Sequence, residues 1–272
     1  MRKILVSISL IFIFSLPIKL SAVGQENEWQ ESYNQSFEYF YNWQFNKAIE
    51  CLERARELNP YNPAIYWRLT YVFWVAADDE TTPKNRRKEL EKMFNEVFDK
   101  GVAICENLLN SDSDNPEILF YLGGLYGNRV FFKTATGSRN KSLLTDINKV
   151  REYLEKIDKT ENFYYEARGY LGIFNYSPVL MSGTKKFLVR KFGYKWDGTT
   201  GLIQVKEAMQ YSRYSDDVKF LYKGILIGLV RKKEYQDRIS EAINLVEELI
   251  KKYPRNPALQ KDWKTLKNIN KK

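Results

Sequence analysis

An all-α stack of about five helical hairpins, closed by a C-terminal helix, is the fold class that this 272-residue chain predicts. Two observations carry it. Ala48, Leu52 and Ala55, with Pro60, recur in spacing as Ala242, Val246 and Leu249, with Pro254: apolar residues at offsets 0, +4 and +7 and a proline at +12. Those offsets place small and branched residues on one face of a helix, and the proline ends it. Asn62-Pro63 and Asn256-Pro257 follow, each pairing an N-cap asparagine with a proline at the first helical position. A third observation is negative: almost no stretch alternates apolar and polar residues as a strand would.

The elements follow in order. The first hairpin runs from about Trp29 to Asn59 and turns near Asn42 to Gln44. A second opens at Pro63, turns through Asp78 to Pro83 and continues in a long helix to about Leu109. The third opens at Pro116, breaks at Thr134 to Asn140 and resumes with the stripe Ile147, Val150, Leu154 and Ile157. Phe163 to Tyr176 predicts a fourth first helix, in which Gly169 and Gly172 permit close approach of its partner near Leu202 to Tyr211. Val218 to Tyr253 supplies the fifth pair, and Pro257 to Ile269 is polar enough on one side to cap the stack.

The helix-turn-helix unit resembles the tetratricopeptide repeat (TPR), most closely at Leu122, Gly123 and Tyr126 and at Tyr66, Leu69 and Phe73. Phe120 to Tyr126, Gly169 to Tyr176 followed by Pro178, and Asp197 with Gly201-Leu202 make the chain similar to an uncharacterised group of exported bacterial TPR-like proteins. A more distant likeness is to a eukaryotic TPR-like family linked to inclusion-body clearance at mitochondria. The resemblance implies a binding scaffold and names no ligand. In a TPR the first helices line a concave groove. That implies an inner wall of Tyr33, Phe37 and Phe40, then Trp67, Tyr71 and Trp74, extended by Phe120. Such rings suit peptides or apolar ligands. Two readings stay open: an accessible groove, or ordinary core beneath a tightly wound stack or an inserted segment.

Residues 1–24 are expected to be a secretory signal peptide, because Arg2 and Lys3 precede an apolar run from Ile4 to Leu16 that is short for a membrane span. Processing after Ala22-Val23-Gly24 would leave a TPR-like domain over 25–272, and an uncleaved N-terminal anchor is the alternative. Either places the body of the chain in the periplasm or cell envelope. Loss of Arg2, Lys3 and Lys19 lowers the net charge from +9 to +6, so the domain stays basic.

The absence of histidine removes a Ser-His-Asp triad, a Cys-His dyad and any histidine-ligated metal or haem. No enzyme activity, cofactor or metal is expected. Cys51 and Cys105 read as small core residues, with a disulfide as the alternative that export permits. Gly137 to Ser142 imitates a phosphate loop without the glycine before Lys141, and Asp112 and Asp114 lack a calcium-loop pattern. Asp78, Asp79 and Glu80 read as a solvated turn.

One segment stands apart. Ser177 to Gly198 is longer than a repeat turn and mixes Lys185, Lys186, Phe187, Arg190, Lys191, Phe192 and Trp196. It is expected either to contact an anionic membrane peripherally or to fold back into the groove. No nucleic-acid partner is expected, since no aromatic-spaced module accompanies the charge.

Overall fold

The computed structural model describes residues 16–137, 142–181, 190 and 195–270. Among them the chain is all-helical, with eleven α-helices packed in adjacent pairs and no strand. The helices are α1 (Leu16–Tyr41), α2 (Phe45–Leu58), α3 (Pro63–Asp78), α4 (Lys84–Leu109), α5 (Pro116–Ala135), α6 (Ser142–Leu154), α7 (Tyr164–Tyr176), α8 (Gly198–Tyr211), α9 (Ser215–Val230), α10 (Ile239–Lys252) and α11 (Pro257–Asn270). Most of the expected signal peptide, the centre of the imitation phosphate loop, and residues 182–189 and 191–194 of the insertion lie outside the described residues.

Three helix starts are built from the signals that announced them. Asn62 accepts from the Ala64 amide, Asn115 from Glu117 and Ile118, and Asn256 from Ala258 and Leu259, so three helices start on an asparagine cap followed by proline. Asp197 caps α8 in the same way through Thr199 and Thr200. Ala48, Leu52 and Ala55 on α2 and Ala242, Val246 and Leu249 on α10 are buried, as their spacing required. Ile157 falls in the turn beyond α6 yet remains buried.

The odd-numbered helices neighbour one another, α3 against α5, α5 against α7 and α7 against α9, and each even-numbered helix from α2 to α8 packs against the odd-numbered helix before and after it. The tightest pair is α7 with α8. A Cβ on Gly172 would come within 2.8 Å of the Val205 amide nitrogen, and one on Gly201 within 2.8 Å of the Tyr176 amide nitrogen. Only glycine allows two backbones this close. A buried polar chain then joins three inner helices: Trp67 Nε1 donates to the Tyr170 hydroxyl (2.9 Å), which donates to Asn128 (3.0 Å), whose amide returns to the Trp67 carbonyl (3.0 Å).

The stack curls until its ends meet. Asn256, fully buried, donates to the Tyr41 carbonyl at 2.8 Å, and the Tyr41 and Tyr253 rings stack at 4.7 Å. Lys261 on α11 pairs with Glu80 beyond α3.

Cys105 is buried and Cys51 only partly so; both are free thiols. This corrects the expectation for Cys51, whose Sγ faces Gln35 on α1 rather than a closed core.

Candidate functional site

The seven rings expected on the inner wall do converge, but most of them are covered. Tyr33, Phe40, Trp67, Tyr71 and Phe120 are buried, while Phe37 and Trp74 keep partial exposure. The cover is α9 and the residue before it. Tyr214 lies 4.7 Å from the Trp67 ring and stacks on Phe37 at 6.1 Å and Phe120 at 6.0 Å, and Phe220 stacks on Tyr41 at 5.4 Å. The accessible concave strip is therefore replaced by a filled groove. Among the described residues this filling comes from the fifth hairpin.

An ion pair holds this cover in place. Arg68, fully buried on α3, directs Nη1 to both oxygens of Asp217 on α9 at 2.9 and 2.8 Å. The Tyr41 hydroxyl donates to the same carboxylate at 2.7 Å. Burial pushes the Asp217 carboxyl above its usual value, against the opposing pull of Arg68 and Tyr41. The guanidinium lies 3.9 Å from the Phe37 centroid and 4.6 Å from that of Phe40, with Nε and Nη2 lacking hydrogen-bond partners. The π faces take the place of solvent around its charge.

Where the cover stops, a cleft of about 530 Å³ opens between the C-terminal ends of α3 and α9 and the start of α11. Its apolar wall includes Trp43, Tyr71, Trp74 and Phe220. Trp43 holds a left-handed backbone, φ 64°, uncommon for a bulky residue, and its Nε1 donates to Asp79 at 2.6 Å. Asp79 also accepts from the Thr81 amide and hydroxyl, both at 2.8 Å. The acidic turn is thus corrected in part: Asp79 is a half-buried anchor for Trp43 and the loop, while Asp78 and Glu80 are exposed. Partial desolvation by neighbouring residues pushes the Asp78 carboxyl up, with Arg87 opposing. Gly224 on α9 leaves room, since a Cβ there would meet nothing within 4 Å.

Of the residues proposed for membrane contact, Lys185, Lys186, Phe187, Lys191 and Phe192 lie outside the described residues. Arg190 is exposed and sits over the Trp196 ring at 4.7 Å, and that ring packs partly buried against the core instead of facing outward. Among the described residues no helix is long and apolar enough to cross a membrane.

Sequence reasoning missed Arg68, Tyr214 and Asp217. Arg68 sits in the apolar run Ile65 to Phe73, where a lone charge is a signal of a buried partner. Asp217 resembles any acidic residue in the first turn of a helix. No family model matches this chain, and no curated protein matches it.

Proposed function

We propose that the chain is an exported, TPR-like binding protein of the cell envelope, without chemistry of its own, that takes a protein, peptide or apolar ligand in the cleft between α3, α9 and α11. The supporting observation is selective closure. Five rings of the aromatic wall are buried, while Trp74 stays partly exposed and, with the edge of Tyr71, lines a cleft that also holds the unfilled space above Gly224. Clefts of about 300 to 1,000 Å³ with apolar walls and a few polar groups are the usual form of a ligand site. Export rests on the leader and the family resemblance.

A second reading, a ligand-capture component of an envelope transport system, draws support from the same closure, because what stays open is a bounded cleft and not a long strip. The apolar-basic segment 177–198 keeps its reading as a peripheral anionic membrane contact. Co-sedimentation with anionic vesicles at low and high salt tests it, and equal pelleting at both would refute it.

The test of the cleft is Gly224→Leu, which projects a side chain into free space. With the full-length chain, tryptophan fluorescence is titrated with N-phenyl-1-naphthylamine, a neutral apolar probe, and with a panel of short peptides. Saturable binding to the parent and its loss in Gly224→Leu, at unchanged helicity, is the expected result. Equal binding to both proteins would place the site elsewhere.

A further inference from the structure

The charged groups around this cleft are almost all committed to one another. Lys223 on α9 bonds Asp262 on α11 at 2.5 Å, Lys261 pairs with Glu80, and Asp79 is occupied by Trp43 and Thr81. Two lining residues remain. Asp78 ends α3, and Arg231 follows the last residue of α9; both are exposed, and neither has an ion pair or side-chain hydrogen bond among the described residues. Arg87, the cation acting on Asp78, donates Nη2 to the Asp79 carbonyl at 2.9 Å instead. A carboxylate at a helix C-terminus also sits at the unfavourable end of the dipole, so Asp78 gains nothing from its own helix. One anion and one cation without a direct side-chain partner among the described residues thus border a cleft walled by Tyr71, Trp74 and Phe220.

We propose that this cleft binds a zwitterion with an apolar body, its ammonium on Asp78, its carboxylate on Arg231 and its side chain against the Tyr71, Trp74 and Phe220 rings. The chemistry is that of an amino acid or a short peptide with both termini free. A doubly charged ligand satisfies both residues at once, whereas a simple amine or acid leaves one of them bare. Arg231 offers a carboxylate two parallel N–H donors, and the aromatic wall takes the apolar body of the ligand. The inference rests on the cleft reading above and deepens it.

The experiment uses the full-length chain and calorimetric titration. One arm takes L-phenylalanine with phenethylamine and 3-phenylpropionate, which lack the carboxylate and the amine. The other takes Gly-Phe-Gly with its N-acetylated and C-amidated forms. In whichever arm binds, removal of either terminal charge is expected to weaken binding by about tenfold or more, as for a lost charge-assisted contact. Asp78→Asn should lose the distinction between the parent ligand and its amine-blocked analogue, and Arg231→Gln the distinction at the carboxylate end, with thermal midpoints unchanged. The arm that binds identifies the source. If neither zwitterion binds, or if the two variants discriminate as the parent does, the proposal fails. N-phenyl-1-naphthylamine separates the two levels: binding of this probe to the parent and not to Gly224→Leu, with no zwitterion bound, overturns the zwitterion and leaves the cleft standing. No difference between the two proteins with any ligand overturns both.

Discussion

Replacing Asp217 tests whether α9 truly fills the groove, because its carboxylate is the acceptor for a buried charge on the opposite wall. In Asp217→Leu the Arg68 guanidinium loses both Nη1 contacts, at 2.9 and 2.8 Å, while its Nε and Nη2 already lack partners. The Tyr41 hydroxyl loses its acceptor as well. Only ring faces, those of Phe37, Phe40, Tyr41 and Tyr71, would remain to a fully buried cation. Breaking a buried pair from one side costs about 3 to 5 kcal/mol. For a chain of this size that lowers the melting midpoint by roughly 6 to 20 °C. Arg68→Met combined with Asp217→Leu removes both charges, and apolar replacement of a buried pair is neutral or stabilising by about 1 to 4 kcal/mol. The double variant should therefore recover most of the loss. Circular dichroism melts of the parent, both single variants and the double variant close the cycle. If Asp217→Leu melts within about 2 °C of the parent, the carboxylate does not meet Arg68, and the aromatic wall is open after all.

Three further outcomes follow from packing and titration. Burial raises the hydroxyls of Tyr33, Tyr41, Tyr71, Tyr121 and Tyr170 above their ordinary value of 10.0. Their protonated forms are retained on folding, so stability is complete below pH 10 and each costs about 1.4 kcal/mol per pH unit above it. A share of the tyrosinate absorbance should accordingly appear only together with loss of helicity; complete ionisation of all 19 tyrosines in a folded chain would refute the burial. Gly224→Ala should stabilise by about 0.5 to 1 kcal/mol, whereas Gly172→Ala should destabilise by about 1 to 3 kcal/mol, as read from urea unfolding. Iodoacetamide at neutral pH should modify Cys51 well before Cys105, whose thiol burial pushes up to about 12; equal rates by mass spectrometry would contradict the packing of α4.

What was legible in the sequence is what neighbours along the chain decide. Asn62-Pro63, Asn115-Pro116 and Asn256-Pro257 mark helix starts because a cap and a fixed φ act within three residues. The Ala48 stripe marks a crossing because helical period alone brings Leu52 and Ala55 to one face. The inner wall with Trp67 and Phe120 comes instead from the resemblance, and both rings are buried. None of these signals says what lies opposite. Arg68 and Asp217 are 149 residues apart, and their meeting depends on how far the stack has turned over the five described α-helices between them. That turn accumulates from each interaxial distance, and the closest approach, Gly172 against Gly201, is the place where a local sequence feature bears on it. Glycines at that crossing draw α8 onto α7 and advance α9 toward the wall, so a bulkier pair would leave the groove wider. The cleft is then the complement of the same geometry. The cover over the wall fails toward the C-terminal ends of α3 and α9, leaving Trp74 at the edge with Asp78 and Arg231. A groove that reads from sequence as one long aromatic strip is thus largely filled, and the cleft at its edge joins the aromatic wall at Trp74 to the helix-end charges Asp78 and Arg231.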